Sequence, residues 1–235
     1  KLSQQGASYS LPLAGDLVIK LENIVQDSQV SMYMLLHAAL VLLISKLSNQ
    51  RDVVIGCPIA NRTNAQTESL IGLFVNTLVL RTQIEHHSFA DLLQHVRDVN
   101  LNAHAHQDVP FEQLVDFCKV PRTTSHTPLV QIILNMNNIG QRIDGMEGIE
   151  FAALDEHRVI AKTDLNLGVV SAPGLLSIKW TYATDLFNES TIRRFASYFT
   201  HLLEQIAAEP MMQLAQIRIL QSHELAQVVQ LSQGT

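Results

Sequence analysis

Residues 71–84, Ile71-Gly72-Leu73-Phe74-Val75-Asn76-Thr77-Leu78-Val79-Leu80-Arg81-Thr82-Gln83-Ile84, begin apolar and end as a strand pattern. The portion 75–84 (VNTLVLRTQI) is rich in β-favouring side chains and predicts a strand. Asn76 and Thr77 stand among apolar neighbours, so their polar groups are expected to be buried or to line a cavity. Buried amides need hydrogen-bond partners. A satisfied asparagine at a strand end and a cavity-lining one both fit.

Outward from that strand the chain alternates element types. Upstream, 53–59 (VVIGCPI) reads as a buried strand whose Gly56 and Pro58 suggest a bend or a sheet edge. The polar stretch 60–69 (ANRTNAQTES) is too long for a simple turn and reads as a loop. Ser31 is placed to cap a helix over 32–47. Its apolar run 32–44 is broken only by Tyr33 and His37. A membrane span needs about 20 apolar residues, so a fully buried helix is expected instead. Residues 16–21 (DLVIKL) alternate and predict a half-buried strand, followed by a polar connector over 22–29.

Downstream, Phe89, Leu92, Leu93, Val96 and Val99 have helical spacing and predict a helix over 88–104. Asp108-Val109-Pro110 is expected to start a second helix running through Cys118, with Asp108 as its cap. Residues 129–136 (LVQIILNM) predict a strand, and 149–154 a short one. Residues 165–171 and 175–182 predict two strands joined by Ala172-Pro173-Gly174, a hairpin signal. Asn188 is placed to cap a last helix over 189–207, which stops before Pro210. Strands interleaved with helices imply an α/β layer fold. The helices 32–47, 88–104 and 189–207 are expected to cover one side of a mixed sheet.

The 235 residues are 47% hydrophobic and 16% charged, which suits a chain with a large buried core and excludes intrinsic disorder. The net charge of −6 and the lack of any basic run argue against a nucleic-acid partner. Cys57 and Cys118 lie far apart, without CxxC or metal-ligand spacing, so neither a disulfide framework nor a metal site is expected. That usage fits a reducing cytoplasm, and no membrane segment is expected. The chain starts at Lys1 with no signal peptide, and is expected to be part of something longer.

Three strings compete for a chemical role. His86-His87-Ser88-Phe89-Ala90-Asp91 has the form HHxxxD, a pattern able to handle a proton in acyl transfer. Ser88 and Asp91, however, form the S-x-x-D capping pattern just where helical periodicity begins. The residue after Asp91 is Leu92, not a turn glycine. His86, His87 and Asp91 are therefore read as a helix start with two exposed histidines, not as catalytic. In His106-Gln107-Asp108-Val109-Pro110-Phe111-Glu112, capping logic accounts for Asp108, Pro110 and Glu112 and leaves His106 and Gln107 without a structural duty. The third string is IGLFVNT itself. No P-loop, dinucleotide glycine pattern or nucleophile elbow is present.

The order of these strings is more specific than any one of them. IGLFVNTLVLR, then HQDVPFE, then Arg122-Thr123-Thr124-Ser125-His126-Thr127-Pro128-Leu129 resembles the late core motifs of condensation domains of nonribosomal peptide synthetases. VVIGCPIANR, KTDLNL and TYATDLFNESTI resemble the flanking segments, so the resemblance spans nearly the whole chain. The family's third motif often reads RDxSRxPL; here Thr123 and His126 replace its Asp and Arg. The family's HHxxxDG precedes the IGLFVNT motif, whereas His86-His87 follows it.

The resemblance therefore implies the C-terminal lobe alone (1–210) of a chloramphenicol-acetyltransferase-like α/β fold, with a mixed sheet and covering helices. It implies a floor loop at 58–69, a latch at 139–161 and, at 211–235, the start of a linker to a following adenylation domain. Gly72, Phe74, Val75, Asn76, Thr77, His106, Gln107, Asp108, Pro110, Phe111, Glu112, Arg122, Ser125 and Pro128 would be the motif and tunnel residues. The catalytic histidines would belong to the other lobe, leaving no catalytic residue in this chain. The activity implied is amide formation between carrier-protein-tethered thioesters. The phosphopantetheine arms of those carriers arrive as substrates, and no cofactor is bound directly. Expected partners are the N-terminal lobe, peptidyl carrier proteins, the adenylation domain and a second copy through the exposed lobe face. A non-catalytic carrier-docking lobe, a heterocyclisation-type relative and a free-standing coenzyme A acyltransferase are the competing readings.

Overall fold

The computed structural model of the chain describes residues 3–121, 123–138, 159–172, 174–221, 224–226 and 230. The elements run β1 (Gln5–Pro12), α1 (Gly15–Asp27), α2 (Met32–Ser48), β2 (Asp52–Ile59), α3 (Ala65–Glu68), β3 (Asn76–Gln83), α4 (Phe89–Ala105) and α5 (Phe111–Phe117). They continue through β4 (Ile132–Asn138), β5 (Val159–Ile160), β6 (Leu165–Ala172), β7 (Leu175–Ala183) and α6 (Glu189–Ala208). The strands form one sheet in the order β3-β2-β4-β6-β7-β1-β5. It is mixed: β2, β4 and β6 are parallel, and the remaining neighbours are antiparallel.

One face of this sheet carries the core. Leu165, Leu167 and Val169 on β6, and Leu176, Ile178, Trp180 and Tyr182 on β7, share a buried cluster with residues of α1, α2, α4 and α6. Strand periodicity sends the intervening residues to the other face. The helix α2 is buried along most of its length, from Leu35 to Leu43, His37 included. Its Ser31 Oγ accepts the Met34 N–H at 3.2 Å, and Asn49 ends it in the left-handed region at φ 56°, a conformation asparagine tolerates. Trp180 meets Phe199 edge-on at 5.8 Å between ring centroids, locking α6 to β7. The hairpin of β6 and β7 turns at Gly174 with φ +69°.

Several expectations are corrected. Residues 16–21 are not a strand but lie within α1, where Leu17, Val18, Leu21 and Ile24 are buried at helical spacing. Six residues are too short a window to separate the two periods. The strand that the sequence hid is β1, whose small and polar residues pair with β7 over Gly6–Pro12. The strand β2 is interior, between β3 and β4, so Gly56 and Pro58 do not mark an edge. The loop after it contains the one-turn helix α3, capped by Asn64. Asn188 takes the N-cap position of α6 without a side-chain cap bond.

The cap of α5 is also corrected. Pro110, not Asp108, occupies the N-cap position and lies outside the helix, and a proline has no side-chain acceptor to offer. The strand expected at 149–154 and most of the latch segment 139–161 fall outside the described residues. Residues 212–214 pack back on the body: Phe89 N–H donates to Met212 O at 3.0 Å, and Leu214 N–H to His87 O at 2.8 Å.

Candidate functional site

The first residue of β3, Asn76, joins two of the sequence motifs. Its Nδ2 donates to the backbone carbonyls of Gln107 and Val109, both at 2.9 Å. Its Oδ1 accepts the Phe111 N–H at 3.0 Å. Phe111 opens α5, and its N–H is one of the donors that a helix leaves unpaired at its start. Asn76 thus caps α5 from across the fold, the duty expected of Asp108. Gln107 has a structural role after all, through its carbonyl. His106 is the C-cap residue of α4, and its Nδ1–H donates to Asn102 O at 2.9 Å.

A second knot lies just before Asn76. The Arg62 guanidinium donates to the carbonyls of Thr67 and Gly72 and covers the Phe74 ring at 4.3 Å from its centroid. A Cβ at Gly72 would stand 3.0 Å from that ring, so the missing side chain makes room for it. Arg62 thereby fastens the 60–69 loop to the 72–74 segment. Sequence patterning passes over Arg62, because a lone arginine in a polar loop gives no periodic signal. With Phe74 drawn inward, Ile71 and Leu73 are left outside, 105% and 92% exposed, and Leu70 and Val75 are exposed as well.

The third motif stays local. Arg122 falls outside the described residues. The Ser125 hydroxyl lies 2.9 Å from Thr123 Oγ1, and Val130 N–H donates to Pro128 O at 2.6 Å. Thr77 is half-buried and pairs in register with Pro58. Asp108 is exposed, and Glu112 lies in the first turn of α5.

The HHxxxD string forms a capping box. Ser88 Oγ accepts the Asp91 N–H at 3.2 Å, and Asp91 Oδ2 accepts the Ser88 N–H at 3.3 Å and the Ser88 hydroxyl at 2.6 Å. These bonds hold the Asp91 carboxyl below its ordinary range. His87 is exposed, but His86 is not. Its ring packs against that of His95 with 4.7 Å between centroids, and burial, then the His95 charge, pulls its pKa down.

Across the sheet from the helices lies a cavity of about 540 Å³, lined by Asn135, Lys162, Asn166, Gly168, Lys179 and Thr181 among others. Asn135 Oδ1 is buried without a hydrogen-bond partner among the described residues. A Cβ at Gly168 would come within 3.1 Å of that oxygen, so glycine keeps the approach to the amide open. Beside it, burial raises the Asp164 carboxyl above its ordinary value. Polar and small residues alternating with buried leucines in LNLGVV are the sequence signal for this face. Among the described residues no group of three His, Cys, Asp or Glu is placed to hold a metal, and no single helix is long and apolar enough to cross a membrane.

Known proteins resemble the chain in sequence and in fold. A linear gramicidin synthase polypeptide of Brevibacillus parabrevis is 37% identical over 97% of this chain, which spans 4% of that protein. Gramicidin S synthase 2 of Brevibacillus brevis is 33% identical over 99% of the chain and 5% of its own length. Among solved structures, a four-domain nonribosomal peptide synthetase superposes with a TM-score of 0.83 at 22% identity, over 95% of this chain and 18% of that one. The X-domain from teicoplanin biosynthesis gives 0.84 at 23% identity, over 93% of this chain and 51% of that one. The first condensation domain of the CDA synthetase gives 0.75 at 18%, over 92% and 48%. The chain thus has the chloramphenicol-acetyltransferase-like fold and spans about half of the single-domain structures. The family model for the condensation domain matches residues 1–229, which hold the motifs joined by Asn76, and the chain belongs to the condensation-domain family.

Proposed function

We propose that the chain is the C-terminal lobe of a condensation domain in a cytoplasmic nonribosomal peptide synthetase. It supplies one wall of the site where an amide forms between two carrier-tethered thioesters. The acceptor amine nitrogen attacks the donor thioester carbon. The C–N bond forms, the C–S bond breaks, and the phosphopantetheine thiol leaves with the donor carrier. The histidines that take up the amine proton belong to the N-terminal lobe, so this chain alone does not turn over.

The observation that carries this reading is the Asn76 triple bond set, which ties the start of β3 to the 107–111 turn. It gives the IGLFVNT and HQDVPFE strings one rigid purpose, shaping a wall rather than reacting. The floor loop 58–69 is held by Arg62, and the same reading assigns 139–161 as the latch and 211–235 as the start of a linker. His86, His87 and Asp91 serve the start of α4 and no proton transfer.

The exposed apolar run Leu70–Val75 is the surface that the N-terminal lobe covers. Exposed apolar groups clustered on a surface mark partners. The test is association with a separately produced N-terminal lobe, followed by sedimentation. A complex that Leu73→Asp weakens is expected. No complex with the unsubstituted chain would contradict the reading.

A further inference from the structure

A second cavity, of about 560 Å³, opens where the end of α2 meets the start of β2, the 84–87 segment and the returning tail at Leu214 and Ala215. Lys46, Arg51, His86 and His87 line it, against one carboxylate, Glu85. Two permanent cations thus face one carboxylate in the lining. Lys46 Nζ donates to Leu214 O at 2.9 Å, a carbonyl that cancels no charge, and two of its three donors remain. Next to Arg51, Asp52 is held by Arg81 through bonds of 2.7–3.1 Å, and Asp91 is held by Ser88. Asp52 is therefore spent on Arg81, and Arg51 has no ion-pair partner among the described residues, whereas the Ser88 hydroxyl cancels none of the charge of Asp91. His86 Nδ1 is buried and without a partner among the described residues.

We infer that this cavity binds a small phosphate-bearing anion, with Arg51 and Lys46 as its principal contacts. The Arg51 fork matches a pair of phosphate oxygens, and the Lys46 ammonium supplies a compact charge beside it. Partial burial of Lys46 weakens solvent screening and strengthens that attraction. A volume of about 560 Å³ has room for more than orthophosphate. A diphosphate group is the class of ligand that uses both cations. Bound there, it would bridge α2, the 84–87 segment and the tail, and fasten the tail to the body. The inference stands on this cavity alone and not on the condensation reading.

The experiment titrates the full chain with pyrophosphate at low ionic strength by calorimetry and follows thermal unfolding in parallel. Binding in the millimolar range or tighter is expected, with a rise in Tm. Arg51→Ala, on an exposed side chain, should weaken it roughly tenfold, and Lys46→Met likewise. Arg194→Ala, on the exposed face of α6, should not. Displacement of pyrophosphate by ATP would identify a nucleotide as the source of the phosphates, and failure to displace would identify the free diphosphate ion. No binding of pyrophosphate, or binding unchanged in both Arg51→Ala and Lys46→Met, would overturn the inference.

Discussion

The Oδ1 of Asn76 accepts the backbone N–H of Phe111 across 35 residues of sequence. That bond, with the two its Nδ2 donates, ties one side chain to three backbone groups of the 107–111 turn. Removing it in Asn76→Ala leaves two carbonyls and an N–H to find water. Part of the turn is exposed, so a loss of about 1–3 kcal/mol is expected in urea unfolding. Asn76→Asp keeps the acceptor for Phe111 but turns an oxygen toward the carbonyls of Gln107 and Val109. It should be no more stable than the alanine variant. A wild-type midpoint for Asn76→Asp would show that the two donated bonds contribute nothing.

His37 offers a pH test. It is buried in α2, and its Nδ1 lies 3.0 Å from Asn100 Nδ2. That amide also donates to Val96 O, so it is the donor and the ring is the acceptor. Burial pushes the ring's pKa down from 6.5 to about 3. A depressed histidine pKa means that the unfolded chain takes the proton first. Stability should therefore fall as pH drops below 6.5 toward 3, by up to ~1.4 kcal/mol per pH unit from this group. Urea midpoints of wild type and His37→Leu between pH 7 and 5 check it. The variant should lose about one proton of linkage. Superimposable pH profiles would rule out a buried neutral ring.

Much of the fold was legible because it rests on local chemistry. The Ser31 cap, the Ser88–Asp91 box and the spacing of Phe89, Leu92, Leu93 and Val96 are all contained within a few residues. What was not legible depends on distant partners. The cap of α5 comes from Asn76, whose own neighbourhood shows only a polar residue at a strand end. The strand β1 is a strand because β7 pairs with it, while QGASYSLP alone has little apolar alternation. Arg62 matters because a ring and two carbonyls from farther along the chain meet it.

The capping box sets a third expectation. Ser88→Ala removes the acceptor for the Asp91 N–H and one partner of the Asp91 carboxylate. A loss of about 1 kcal/mol is expected, the usual cost of an N-cap serine. Thermal unfolding with no change in Tm would mean that the bridge between Ser88 and Gln213 holds this end of α4 unaided.

The exposed run sets a fourth. With Ile71 and Leu73 almost wholly in water, the chain by itself should associate through that face as concentration rises. Sedimentation equilibrium should show a dimer that Leu73→Asp converts to monomer. A monomer at every concentration would leave the exposed run without the stickiness assigned to it.

On the proposed function, this chain is half of an amide-forming site and carries none of its proton chemistry. The most direct measurement supplies loaded donor and acceptor carrier proteins to this chain, to a separately made N-terminal lobe, and to both together, and quantifies dipeptide by mass spectrometry. Product from the mixture and from neither lobe alone is the predicted result. Product from this chain alone, lost on the double substitution His86→Ala and His87→Ala, would contradict the account and make the HHxxxD string a catalytic motif.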